Sequence, residues 1–274
     1  MPTARKLSTL CLLLLALAAP LHAESRCTTF SKSIVCSAQS LSIDSGSEAP
    51  RKVVFQVPVG AAPAGGWPAV LLFHGALMRS NGFSYHVDLP FGGYYQGKLV
   101  QALLDNGFAV IAPNAMSSSE SWQTNSAEYA DNYERSNDYL FFNNLFAAMQ
   151  AGRFGPLNSQ RWYATGISSG GYNTSRMAVS FPGRFRALAI QSASYATCVG
   201  IRCKIPQQLP GNHPPTLFLH GMADRVVPWT SMQPYHDRLL YQGIKTAMYT
   251  EAAGGHAWFA ASPEQILGWF KANP

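Results

Sequence analysis

The apolar residues of this chain fall into short unbroken runs separated by stretches with helical spacing. RKVVFQVPVG (51–60) alternates like a half-buried strand, and APAGGWP makes a turn after it. AVLLFHG (69–75) is apolar until it closes on His-Gly, which suits a strand buried on both faces, as in a parallel sheet. YQGKLVQALLDNG predicts a helix over about Tyr95 to Asn106 that stops at Gly107. FAVIAPN (108–114) is the next buried strand, and the polar, aromatic-dotted stretch 116–137 reads as a long surface loop. Beyond it come helix 138–150, strand 161–166, helix 170–181, strand 187–193, a cysteine-bearing excursion and strand 216–221. Helix 231–243, strand 246–252 and a last helix from about Pro263 complete the order, and SIDSGSEAPR (42–51) reads as a linker. Strands alternating with helices predict an α/β domain, a mostly parallel central sheet with helices on both faces.

The first 23 residues stand outside that pattern. Arg5 and Lys6 precede an apolar run from Leu10 to Ala19, and Leu21-His22-Ala23 offers a small-residue cleavage site, the layout of a secretory signal peptide. The run is shorter than the roughly 20 residues that span a bilayer. Removal of residues 1–23 would leave 251 residues, 24–274, expected to form one catalytic domain. At 47% hydrophobic and 12% charged, the chain can bury a substantial core. The net charge of +6 comes from scattered basic residues, with no cluster that would point to nucleic acid, and no later segment is expected to span a membrane.

Cys11 leaves with the leader, so Cys27, Cys36, Cys198 and Cys203 remain. Four cysteines in an exported chain argue for disulfides, and loop closure favours the short pairings Cys27–Cys36 and Cys198–Cys203. Their spacing fits no zinc motif, and no metal is expected.

Chemistry enters at Gly166-Ile167-Ser168-Ser169-Gly170, between a strand and a helix. That is the context of the G-x-S-x-G nucleophile elbow, which exposes the central serine at a sharp turn. The motif alone is weak, because about 0.2 chance matches are expected in a chain this rich in Gly and Ser. Its partners carry the case. Ser168 is the candidate nucleophile, and the Ser169 N–H a donor to the developing oxyanion. The acid candidate is Asp224, just past the strand that ends at His220-Gly221; Asp237 lies mid-helix and is a poor rival. Only His236 and His256 follow Asp224, and His256, in a Gly-rich loop after a strand, is the candidate base. The second oxyanion donor falls to the loop after His74-Gly75, with Ala76 the first choice and Leu77 the second; His74 itself is expected to be structural. Asn173-Thr174-Ser175 matches a glycosylation sequon, but inside a helix a chance match is the better reading.

Elbow, acid and base together resemble the α/β-hydrolase superfamily, and LLFHGAL, GISSGGYNTSRMA, LFLHGMADRVVPW and GGHAW resemble extracellular polyhydroxyalkanoate depolymerases of the medium-chain-length type. The resemblance covers most of the chain after the leader. It implies Ser168, Asp224 and His256 as a triad without a cofactor, acting on an insoluble polyester such as poly(3-hydroxyoctanoate). Short-chain-length depolymerases carry a linker, a polymer-binding domain and a cysteine after His-Gly; here Ala76 stands at that position, and no separate polymer-binding domain is expected. The catalytic domain itself should then adhere to polymer through exposed apolar surface. Trp122, Tyr129, Tyr133, Trp229 and Trp258 are the candidate rings, and burial in the core is the even alternative for each. A feruloyl or acetyl-xylan esterase, or a cutinase-like polyesterase, would use the same triad and is the rival reading.

Overall fold

A computed structural model describes residues 24–46, 49–199 and 202–274. The predicted leader lies outside the described residues.

In chain order the elements are strands β1 (Cys27–Thr29), β2 (Ser33–Cys36), β3 (Gln39–Ile43), β4 (Arg51–Gln56), β5 (Trp67–Phe73) and β6 (Ser84–His86). They continue with helix α1 (Gly93–Asp105), β7 (Ala109–Pro113), α2 (Asn137–Gln150), β8 (Leu157–Ile167) and α3 (Ser169–Ser180). The last are β9 (Phe185–Gln191), β10 (Thr216–Gly221), α4 (Gln233–Tyr241), β11 (Thr246–Glu251) and α5 (Ser262–Lys271).

Eight strands form one sheet in the order β3-β4-β7-β5-β8-β9-β10-β11. From β7 to β11 all neighbours run parallel, while β4 is antiparallel to both β7 and β3. The apolar runs occupy the middle: every residue of β5 and β7 is buried, whereas the edge strand β11 is mostly half-buried. One face packs α1 and α5 through Leu99, Leu103, Ile266 and Phe270; the other packs α2 and α3 through Phe142, Phe146 and Met177. The predicted fold class holds.

Four details depart from the expected order. The short strands β1, β2 and β6 form a separate antiparallel sheet that no periodicity announced. It is tied by the Cys27–Cys36 disulfide, with Cys27 and Cys36 directly opposite in register; Cys198–Cys203 is the second bridge, as expected. Strand β8 begins at Leu157, four residues before the expected start. The stretch 42–51 is partly structured, since Ser42 and Ile43 pair with Lys52 and Arg51.

The stretch 116–137 is the largest departure, because it plants several side chains in the core, although Ser117, Ser119, Ala127, Glu128, Asp131 and Asn132 stay at the surface. Trp122, Thr124, Ala130 and Tyr133 are buried. The buried Arg176 of α3 holds the stretch by donating to the carbonyls of Thr124 and Ala130, and its guanidinium sits 4.6 Å above the Tyr133 ring. At the far end Asp138 accepts from Gln123 N–H at 2.6 Å and from Arg51 at 2.6 Å. Ser136 then caps α2, accepting from Tyr139 N–H. Asn173 is fully buried within α3, so its sequon is not presented to solvent.

Candidate active site

The candidate residues meet at the carboxyl ends of the parallel strands, in the loops after β5, β8, β10 and β11, where open α/β sheets bind ligands. Ser168 sits between β8 and α3 at φ 57°, ψ −125°, a conformation that costs a non-glycine residue on the order of 1–3 kcal/mol. Two hydrogen bonds hold it there. Its N–H donates to the Gln191 carbonyl at 3.1 Å, and its carbonyl accepts from Tyr172 N–H at 3.0 Å. The two motif glycines permit the close crossing. A Cβ on Gly166 would stand 2.5 Å from the Gly170 carbonyl oxygen, and one on Gly170 would stand 2.5 Å from the His74 oxygen and collide with that of Phe73.

Asp224 and His256 form a hydrogen-bonded pair at the same end of the sheet. Asp224 Oδ2 lies 2.8 Å from His256 Nδ1, while Oδ1 accepts from the N–H groups of Val226 and Val227 at 2.9 and 2.8 Å. Burial would raise the pKa of Asp224. Hydrogen bonds from His220, His256 and the Val227 N–H outweigh it and hold the carboxyl well below the usual carboxylate range. With Nδ1–H committed to Asp224, His256 presents Nε2 as its basic nitrogen. The ring edge packs against Phe91 at 5.5 Å. Among the described residues, no hydrogen bond joins Ser168 Oγ to the His256 ring.

His220 was not assigned a role from sequence. Its Nε2 stands 2.8 Å from the Val227 carbonyl and 3.5 Å from Asp224 Oδ2, so it braces the acid-bearing turn from beneath. The signal was present, since His220-Gly221 ends β10 as His74-Gly75 follows β5.

The loop after β5 separates the two oxyanion candidates. Leu77 spends its N–H on the Glu120 carbonyl at 2.9 Å, whereas the N–H groups of Ala76 and Ser169 have no acceptor among the described residues. His74 is structural in placement: Nδ1–H donates to the Gly75 carbonyl, and Nε2 accepts from Ala115 N–H at 2.9 Å. A cavity of about 630 Å³ opens beside Ser168, lined by Ala76, Ser169, Tyr172, Val226 and Val227 among others.

The aromatic candidates divide. Trp122, Tyr133 and Trp258 are 2%, 1% and 1% exposed, which removes them from any adhesive surface. Trp122 packs on Phe73 and Phe142 and donates Nε1–H to the His74 carbonyl; Trp258 fills the core under α1 and α5. Tyr129 and Trp229 are half-buried. Other apolar side chains near these residues are exposed instead: Leu77, next to Ala76, is 81% exposed, Val226, which lines the cavity, 64%, and Phe91, against the His256 ring, 41%. Sequence reading did not single them out as surface side chains, because each lies in a loop or short turn, where apolar residues carry no periodic signal.

No family model matches the chain. It is 60% identical over 273 residues to a poly(3-hydroxyoctanoate) depolymerase of Pseudomonas fluorescens, covering 97% of this chain and 98% of that protein. Among solved structures it is similar to esterase PE8, with TM-score 0.57 and 16% identity over 80% of this chain and 97% of that one. A thermostable esterase matches with TM-score 0.60 and 19% identity over 86% and 62%, and an S-formylglutathione hydrolase of Staphylococcus aureus with 0.60 and 13% over 92% and 98%. At these identities the structural likeness establishes the fold alone, the α/β-hydrolase fold.

Proposed function

Because this chain belongs to the poly(3-hydroxyoctanoate) depolymerase family, we propose that it is a secreted serine esterase that hydrolyses medium-chain-length poly(3-hydroxyalkanoates) through an acyl-enzyme. The observation that carries this reading is the Asp224–His256 hydrogen bond, at the same sheet edge as the strained Ser168 turn.

In the proposed reaction Ser168 Oγ attacks the ester carbonyl while His256 Nε2 takes its proton, and Asp224 balances the imidazolium through Nδ1–H. As substrate binds, rotation of the Ser168 side chain brings Oγ to the ring, a hydrogen bond that free enzymes often leave unmade. The carbonyl oxygen becomes an oxyanion that accepts from the unspent N–H groups of Ala76 and Ser169. The tetrahedral intermediate collapses as His256 returns the proton to the departing hydroxyl of the polymer chain. Water, deprotonated by His256, then releases the hydroxyacyl group and restores Ser168. The chain and water supply every proton transfer, and no cofactor is used.

Adhesion falls to the rim. Val226 lines the cavity, exposed Leu77 follows its Ala76, and Phe91 packs against the His256 ring, with Tyr129 and Trp229 half-buried. Exposed apolar side chains of this kind suit a hydrophobic polyester surface.

Clearing of polyester emulsions of graded side-chain length tests the reading, with Ser168→Ala as control. Poly(3-hydroxyoctanoate) should clear faster than poly(3-hydroxybutyrate), and the control should lose at least about 10⁴-fold in rate. Clearing that survives Ser168→Ala, or ferulate or acetate release that outpaces polyester hydrolysis, overturns it. Export is checked by N-terminal sequencing of the secreted protein, expected to begin near Glu24.

A further inference from the structure

We propose that Gln191, the last residue of β9, is a positioning residue that holds the His256 loop at a fixed distance from the Ser168 turn. The inference rests on the nucleophile and base assignments above and concerns how they are kept in register.

Gln191 reaches both loops at once. Its backbone carbonyl accepts the Ser168 N–H at 3.1 Å, on the strand that lies between β8 and β10. Its side-chain Nε2 donates to the carbonyl of Ala257, the residue after the base, at 2.8 Å. Its Oε1 accepts from Ser262 Oγ at 2.9 Å, and that same oxygen accepts from Phe259 N–H at 2.9 Å. Gln191 and Ser262 are both fully buried. One amide thus ties the whole 257–262 segment to the sheet centre, while the imidazole is held from its other side by Asp224. With ring and following peptide both anchored, His256 cannot drift relative to Ser168 without breaking one of the two bonds. The two contacts are chemically separate. A side-chain substitution at 191 leaves the carbonyl that supports Ser168 untouched and releases only the base loop.

A displacement of about 1 Å between reacting groups can cost about 10²-fold in rate. The test uses a soluble chromogenic ester of octanoic acid, so that adsorption to polymer does not enter, at a temperature where circular dichroism shows every variant folded. Gln191→Leu is expected to lower kcat 10- to 100-fold with KM changed less than threefold, and to slow labelling by a fluorophosphonate to the same extent. Gln191→Glu keeps an acceptor for Ser262 but, once ionised, no donor for Ala257, so it should lose kcat comparably. Ser262→Ala, which spares the Ala257 contact, should lose less than either. Folded Gln191 variants that keep wild-type kcat and labelling rate while only Tm falls would make Gln191 a purely structural brace and overturn the proposal. If Gln191→Leu does not fold, Gln191→Glu and Ser262→Ala decide it by the same kcat order. Ester turnover that survives Ser168→Ala would instead sink the nucleophile assignment, a different and distinguishable failure.

Discussion

Asp224 Oδ2 and His256 Nδ1 lie 2.8 Å apart although the two residues are 32 positions apart in the chain. The parallel pairing of β10 with β11 brings them together, because each residue stands in the loop that leaves the carboxyl end of its strand. The carboxylate is anionic and accepts from two backbone N–H groups besides the imidazole, so its orientation is settled before substrate arrives.

Asp224→Asn should therefore preserve the fold and disable the chemistry. An amide in that place can donate to Nδ1 and favour the tautomer in which Nε2 carries the proton. A fall in kcat of about 10⁴ on a soluble ester is expected, with unchanged circular dichroism. A loss below tenfold would show that the carboxylate does not set the tautomer.

Acid should weaken the fold through two histidines that take no part in the reaction. Burial lowers the pKa of His74 from 6.5 to about 4, only partly offset by its bond to the Gly75 carbonyl; His213 is lowered equally, with Pro214 as the offset. In His74 Nε2 accepts from the fixed Ala115 N–H, so protonation would set hydrogen against hydrogen, while in His213 it meets the Tyr235 hydroxyl and burial alone opposes the charge. The unfolded chain then binds more protons than the native one between pH 6.5 and 4. Stability is full above pH 6.5 and falls as pH drops through that window, on the order of 3 kcal/mol for each ring. Urea unfolding at pH 7, 5.5 and 4.5 should show the slope, and His213→Gln should roughly halve it.

Trp122→Ala should act on stability. The ring is buried between Phe73 and Phe142, and its Nε1–H satisfies the His74 carbonyl. A loss of about 3–5 kcal/mol is expected. Denaturant titration would measure it, and an unchanged midpoint would contradict the packing described.

Replacement of Leu77 and Val226 by Ser should weaken capture of polymer. Adsorption to poly(3-hydroxyoctanoate) latex, measured by depletion of protein from the supernatant, should fall at least fivefold more than turnover of a soluble ester. Equal losses in both assays would assign these side chains to the chemistry instead of the surface.

The sequence by itself determined the order of the parallel strands and the helices between them, because a strand buried on both faces is apolar along its own length and announces itself locally. AVLLFHG and FAVIAPN are legible for that reason, and so is the strand-turn-helix around Ser168. The order of Ser168, Asp224 and His256 along the chain could likewise be read and their roles assigned. Tertiary structure alone decided which loop residues face water. Trp122 and Tyr133 are drawn inward by Phe142, Arg176 and the sheet, while Leu77 and Val226 are left exposed; those contacts join residues tens of positions apart and leave no local pattern. It also decided that Leu77 spends its N–H on Glu120 while Ala76 does not, and that the Gln191 amide meets Ala257, 66 residues away. Hydrogen bonds of that range depend on the register of whole strands, which no stretch of sequence carries alone.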